Sequence, residues 1–194
     1  MAMTRYSPTI YKEKSEIVIQ ECEQVLSGVS ADAVIGLIDT ILEADKVYFI
    51  GVGRVMLALE AMAKRFAHLG IDTHCVGEIT EPAITDKDLL VVGSGSGESI
   101  VPMAIAKKAH ELGVRIAYIG ASPESTVGKL ADVILYIPVR SKVKSSRHVV
   151  DSQQPMTSLF EQCLFLLGDV MAQMIIEYKT LDQEGLWKFH ANLE

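Results

Sequence analysis

Apolar positions in this chain follow two rhythms. Short runs in which nearly every position is apolar read as strands buried on both faces: residues 46–50 (KVYFI), 88–92 (DLLVV), 114–119 (VRIAYI) and 133–137 (VILYI). A fifth, 71–76 (IDTHCV), alternates in character. Longer stretches repeat their apolar residues at helical spacing: 9–26 and 31–43 before the first strand, 54–69 and 99–112 between strands, 155–179 after the last, and a short 182–190. Gly70 and Gly113 stand where C-caps belong, and Pro155 stands where a first helical residue belongs. Strands answered by helices in this order predict an α/β fold, a five-stranded parallel sheet flanked by helices on both faces. One domain is expected over residues 1–194, with a core of about 30–180 and extra N- and C-terminal helices.

Two loops join a strand directly to a helix through glycines: GVGR at 51–54 and GSGSGES at 93–99. In an open parallel sheet such loops sit at the carboxyl ends of the strands, where ligands bind. Glycines let the backbone approach a ligand, the next helix offers unpaired N–H groups and a positive dipole end, and serine hydroxyls add donors. The guest that fits is a phosphate. The dinucleotide pattern GxGxxG fails at Met56, and the nucleotide P-loop fails because Leu130 follows Gly128-Lys129. A small phosphorylated metabolite is therefore expected, against the plainer reading of a flexible turn.

The helix pattern at 155–179 carries a polar stripe of Ser158, Gln162, Asp169, Gln173 and Glu177. Glu161 lies off it, with Phe165, Gly168 and Ala172 as neighbours one to three turns on. Spacing leaves two readings open: a carboxylate held among apolar and small residues as a base, or a first-turn glutamate stabilised by the helix dipole and partly exposed.

Composition narrows the setting. The formal net charge is -7 over 194 residues, which argues against a broad nucleic-acid surface. Three widely spaced cysteines, Cys22, Cys75 and Cys163, read as reduced thiols, and the start MAMTRYSPTI lacks a signal peptide's apolar run, so a cytoplasmic protein is expected. The greasy region 163–176, interrupted by Asp169 and Gln173, is too short to span a bilayer. His74 and His148 have no partner at metal-ligand spacing, so no metal is expected, and His68 reads as a packed or capping residue. Arg140, Lys142, Lys144, Arg147 and His148 form a local positive cluster, readable as an anion-attracting field, a solvated loop or a lid. The N-terminal helices and Met156, Met171 and Met174 carry more apolar surface than one sheet needs, which suggests a homo-oligomer.

The Gly-x-Gly-Arg loop, the SGSGES loop, VGEIT at 76–80, QPMTSLFEQ at 154–162 and HANLE at 190–194 occur in the order found in the sugar isomerase (SIS) domain family. Together they resemble its 6-phospho-3-hexuloisomerase branch over almost the whole chain. The resemblance implies a flavodoxin-like, Rossmann-like three-layer sandwich and a metal-independent, cofactor-free interconversion of 3-hexulose 6-phosphate and fructose 6-phosphate. It implies that Ser94, Ser96 and Ser99, with the backbone of Gly95, Gly97 and Glu98, hold the phosphate, and that Arg54 belongs to the first loop of the site. It implies Glu161 as the base and His190 as a ring-opening histidine, often supplied to a neighbouring subunit. Its other implications are a phosphosugar partner, a homotetramer, and a place in formaldehyde assimilation by the ribulose monophosphate pathway. Val55 stands where the family usually has serine, so one hydroxyl donor is missing. That departure keeps an aldose–ketose phosphosugar isomerase in play. A non-catalytic sugar-phosphate sensor is the second alternative, against which SLFEQ and HANLE together argue.

Overall fold

The computed structural model describes residues 7–141 and 149–193. Five strands, β1 (Val47–Ile50), β2 (Thr73–Cys75), β3 (Leu89–Gly93), β4 (Arg115–Gly120) and β5 (Val133–Tyr136), form one sheet in the order β2-β1-β3-β4-β5, parallel throughout. Register follows the pleat. Val47 pairs with Leu89 and Phe49 with Val91, and these face one helical layer, while Tyr48, Ile50, Leu90 and Val92 face the other. Burial on both faces explains why β1, β3 and β4 read as continuous apolar runs; β5, expected to be buried likewise, is an edge strand in which only Leu135 is fully buried.

The two layers are unequal. Helices α1 (Pro8–Ser27), α2 (Ala31–Glu43), α3 (Arg54–Ala67) and α6 (Ser158–Tyr178) contribute to the larger core, and α4 (Ile100–Glu111) with the short α5 (Thr126–Leu130) covers the opposite face. A last short helix, α7 (Gln183–Trp187), follows. Helix α5, one turn capped by Ser125 accepting from the Gly128 amide, is too short to show as periodicity in the sequence.

The last long helix corrects three expectations. Pro155 is not its first residue: α6 begins at Ser158, and Pro155 sits in the preceding turn, where its carbonyl accepts from the Ser158 amide. The helix is 21 residues long, so by length and apolar composition it matches a membrane span, although its greasy stretch reads shorter in the sequence. Here it is a core helix, burying Leu159, Phe160, Cys163, Leu164, Leu167, Met171 and Ile175. Its outward side is not simply the polar stripe, because Phe165, Leu166 and Val170 are exposed alongside Gln173 and Glu177. Of the three methionines credited with surplus apolar surface, Met171 is buried and Met174 half-buried; only Met156 is exposed.

At the amino edge of the sheet Asp88 is buried, 2% exposed, just before β3. It accepts from Lys46 Nζ at 3.0 Å, from the Thr85 amide at 2.7 Å and from the Thr85 hydroxyl at 2.9 Å. Burial alone would raise its pKa; the Lys46 bond and the Thr85 bonds outweigh it and hold the carboxyl below its ordinary 3.8. A carboxyl depressed on folding stabilises the fold above its ordinary range, and the stabilisation is lost as pH falls through the folded value. Asp88→Asn, which weakens the Thr85 bonds, is expected to cost about 2 kcal/mol near pH 7. The gap to the wild type should close on acidification below the ordinary aspartate range, as read by urea denaturation along a pH series.

Candidate functional site

Strand order reverses between β1 and β3. The chain leaves β1 through α3 toward β2, and leaves β3 through α4 toward β4, so a crevice opens at the carboxyl ends of these two strands. Both glycine loops lie there. Leu59 of α3 packs under both, close to the positions a Cβ would take at Gly51 and Gly93. Val55 lies beside the same two glycines, its Cγ1 3.3 and 3.2 Å from those positions, and packs against the larger core. The residue that departs from the family pattern is therefore an apolar wedge between the loops.

The serine loop is built from its own bonds. Ser94 is buried; its Oγ accepts from the Gly97 amide at 3.0 Å and lies 3.4 Å from Ser99 Oγ. Ser96 Oγ accepts from the Glu98 amide at 3.2 Å. Two of the amides expected to face a ligand are thus engaged inside the loop, while each serine hydroxyl that accepts there keeps a proton to donate outward. Ser99 is the N-cap residue of α4, and its side chain makes no capping bond. Gly95 lies over α6, with a Cβ there 3.7 Å from the Phe160 ring, and its carbonyl accepts from the Ala121 amide and the Ser122 hydroxyl. Glu98 points away: its carboxylate accepts from the Thr126 amide at 2.7 Å, and Thr126 holds it below its ordinary value. Gly97 is required by space as well as by its φ of +65°, since a Cβ would fall 1.9 Å from Ser125 Oγ. Tyr118 braces the loop from below, its hydroxyl donating to Ser94 O at 2.8 Å, with burial pushing the phenol up to about 12.

Glu161 sits in the first turn of α6 and is 8% exposed. Thr157 Oγ1 donates to one carboxylate oxygen at 2.8 Å, and Arg54 Nε, from the first residue of α3, donates to the other. The structure thus puts Arg54 on the Glu161 carboxylate, Val55 beside Gly51 and Gly93, and Phe160, the neighbour of Glu161, against Gly95 of the serine loop. A buried carboxylate fixed at both oxygens, with the glycine loops alongside, has the chemistry to take a proton from a bound sugar phosphate.

His190 is elsewhere. It stacks on His68, the C-cap residue of α3, with ring centroids 4.7 Å apart, and lies against Trp187. Arg54 opens that same 14-residue helix, about 20 Å away at 1.5 Å per residue. Within one chain His190 and Glu161 are not brought together. Arg140 pairs with Asp151 at 2.6 Å, while Lys142, Lys144, Arg147 and His148, and with them the middle of the expected lid at 139–153, lie outside the described residues. His74 lies between Asp72 and Glu78, yet among the described residues no three His, Cys, Asp or Glu side chains gather as a metal site. Sequence reasoning misses Thr157, although it stands four residues before Glu161, one helical turn.

A cavity of about 710 Å³ opens from Arg54 and Glu161 between α1, α3 and α6 and is walled by Val18, Ile19, Leu57, Phe165 and Leu166. The serine loop does not line it. An apolar groove of this kind suits a protein surface better than a sugar phosphate.

The SIS domain family profile matches residues 40–167, and the chain belongs to that family. It is 37% identical over 177 residues to the 3-hexulose-6-phosphate isomerase of Bacillus subtilis, covering 91% of this chain and 95% of the relative. It is 35% identical over 178 residues to the 3-hexulose-6-phosphate isomerase of Mycobacterium gastri, covering 92% and 88%. A solved structure from Methanococcus jannaschii, whose inferred molecular function is that of a 3-hexulose-6-phosphate isomerase, superposes with a TM-score of 0.79 at 29% identity over 94% of this chain and 99% of its own.

Gly97→Ala is expected to raise the dissociation constant for fructose 6-phosphate at least tenfold, about 1.4 kcal/mol, in titration calorimetry, since the loop must move to admit a methyl group.

Proposed function

We propose that this chain interconverts 3-hexulose 6-phosphate and fructose 6-phosphate, with Glu161 as the base and no metal. The observation that carries the reading is the buried Glu161 carboxylate, bonded by Thr157 and Arg54, on the helix whose Phe160 lies against Gly95 of the serine loop. The near full-length kinship to proteins named 3-hexulose-6-phosphate isomerase supports it. In the direction from fructose 6-phosphate, Glu161 removes the proton from C3. The electron pair forms the C2–C3 double bond of an enediol as the C2 carbonyl oxygen takes up a proton. Return of a proton to C2 and loss of the O3 proton leave the ketone at C3. The phosphate is held by the hydroxyls of Ser94, Ser96 and Ser99 and the start of α4. The reaction would serve one-carbon metabolism in the cytoplasm, where the ribulose monophosphate route can either assimilate formaldehyde or detoxify it.

The working unit in this reading is an oligomer, a tetramer as in the family. The first half of α1, from Pro8 to Glu16, has scarcely a buried residue, and Tyr11, Ile19, Leu57, Phe165, Leu166 and Val170 are exposed. A helix half this short is marginal without packing. A second copy seated in the α1–α3–α6 groove would cover it. His190 would serve the Glu161 of another copy, since it lies far from its own.

Incubated with fructose 6-phosphate in heavy water, the protein is expected to exchange the C3 proton in NMR, with Glu161→Gln slower by about a thousandfold, in the range a positioned base contributes. Exchange at C1 instead would make it an aldose–ketose isomerase, and binding without exchange would make it a sensor. Sedimentation should give a mass several times 21.2 kDa, and Leu57→Glu with Phe165→Glu should lower it toward that value.

A further inference from the structure

Glu21 is a buried carboxylate in the middle of α1, 7% exposed. Its hydrogen-bond partners among the described residues are neutral, and all lie on the segment that leads into α6. One oxygen accepts from the Gln153 amide at 2.8 Å, and the other from the Ser152 hydroxyl at 2.6 Å and the Gln154 side-chain amide at 3.1 Å. Ser152 Oγ in turn accepts from the Gln154 amide at 3.0 Å. All three partners donate to it, an arrangement that suits an ionised carboxylate, an acceptor at both oxygens. The next residue, Cys22, reaches α6 from the same helix, its Sγ 3.5 Å from Gln162 Oε1.

Between this clamp and the first turn of α6 lies a strained residue. Met156 adopts a φ of +55°, in the left-handed region, with its side chain 99% exposed and so without packing that would favour the conformation. A non-glycine residue stays there only when its flanks are held. Downstream, the flank is the start of α6, where Thr157 orients Glu161. Upstream, it is the Glu21 clamp.

We propose that Glu21 is a positioning residue: by anchoring residues 152–154 to α1 it holds the strained turn at Met156, and through Thr157 it sets the carboxylate of Glu161. The inference rests on the isomerase reading above. Glu21 is remote from the serine loop in its bonding, so its loss should disturb proton transfer and leave phosphate binding nearly intact. Such a split distinguishes positioning from general destabilisation.

The test uses the full chain, with fructose 6-phosphate and C3 exchange as the readout. Glu21→Gln places a donor against donors, and Ser152→Ala with Gln154→Ala removes two bonds from the other side without touching the core. Both variants are expected to lower kcat by roughly tenfold or more with KM changed by less than about threefold. Met156→Gly in the Glu21→Gln background, which removes the strain, is expected to restore part of kcat. Amide hydrogen exchange over residues 152–162, followed by mass spectrometry, should accelerate by roughly tenfold or more in both variants, with the sheet peptides unchanged. If Glu21→Gln does not fold, the double variant carries the test. An unchanged kcat, a rise in KM alone, or unchanged amide exchange would overturn the clamp. A wild-type protein that exchanges no sugar proton overturns the isomerase reading instead, and the amide exchange over 152–162 then still decides whether Glu21 holds the turn.

Discussion

The reversal of strand order between β1 and β3 is the constraint on which everything else rests. Two neighbouring parallel strands send their chains away in opposite directions and onto opposite faces, so a gap is left open between their carboxyl ends. Two strand-to-helix turns must then run side by side, close enough for Leu59 and Val55 of α3 to lie beneath both. That crowding disfavours side chains at Gly51 and Gly93, and it turns the serine loop toward the crevice. The suitability of this edge for an anion thus follows from topology before any serine is placed.

Onto this frame α6 brings a carboxylate. Its start lies over the serine loop, with Arg54 and Thr157 on Glu161 and with Phe160 against Gly95. Arg54 and Glu161 are 107 residues apart in the chain, so the pair exists only when α3 and α6 have docked. Helix α6 makes its broadest contact with α3, which fits that requirement.

The fold is legible in the sequence because its signals are local. Apolar runs such as LLVV and IAYI reflect burial in the sheet, and the glycines after β1 and β3 mark turns that few other residues can make. Glu161 is legible as an outlier from a polar stripe, although that stripe is only part of the exposed face. What stays hidden depends on contacts distant in sequence. Arg54 can be assigned to the first loop but not to the Glu161 carboxylate, and Glu21 looks like any surface glutamate on a polar helix because its partners lie 131 to 133 residues away. Likewise, nothing local predicts that α6 starts three residues after Pro155, since the left-handed Met156 is a product of the flanks that hold it.

The serine loop between β3 and α4 and the first turn of α6 are separate pieces of the chain. The loop is braced from its own side of the sheet by Tyr118, Ala121 and Ser122, and Phe160 is the side chain of α6 that lies against it. In the proposed reaction one piece anchors and the other moves the proton, and that separation has an evolutionary consequence. A descendant that lost the carboxylate of α6 while keeping the serine loop would still capture a phosphorylated sugar and would have become a receptor. A descendant that kept the loop and shifted the start of α6 along the bound sugar could act on a different carbon. In this architecture recognition is inherited with the sheet, and reactivity is a property of one helix end that can be exchanged.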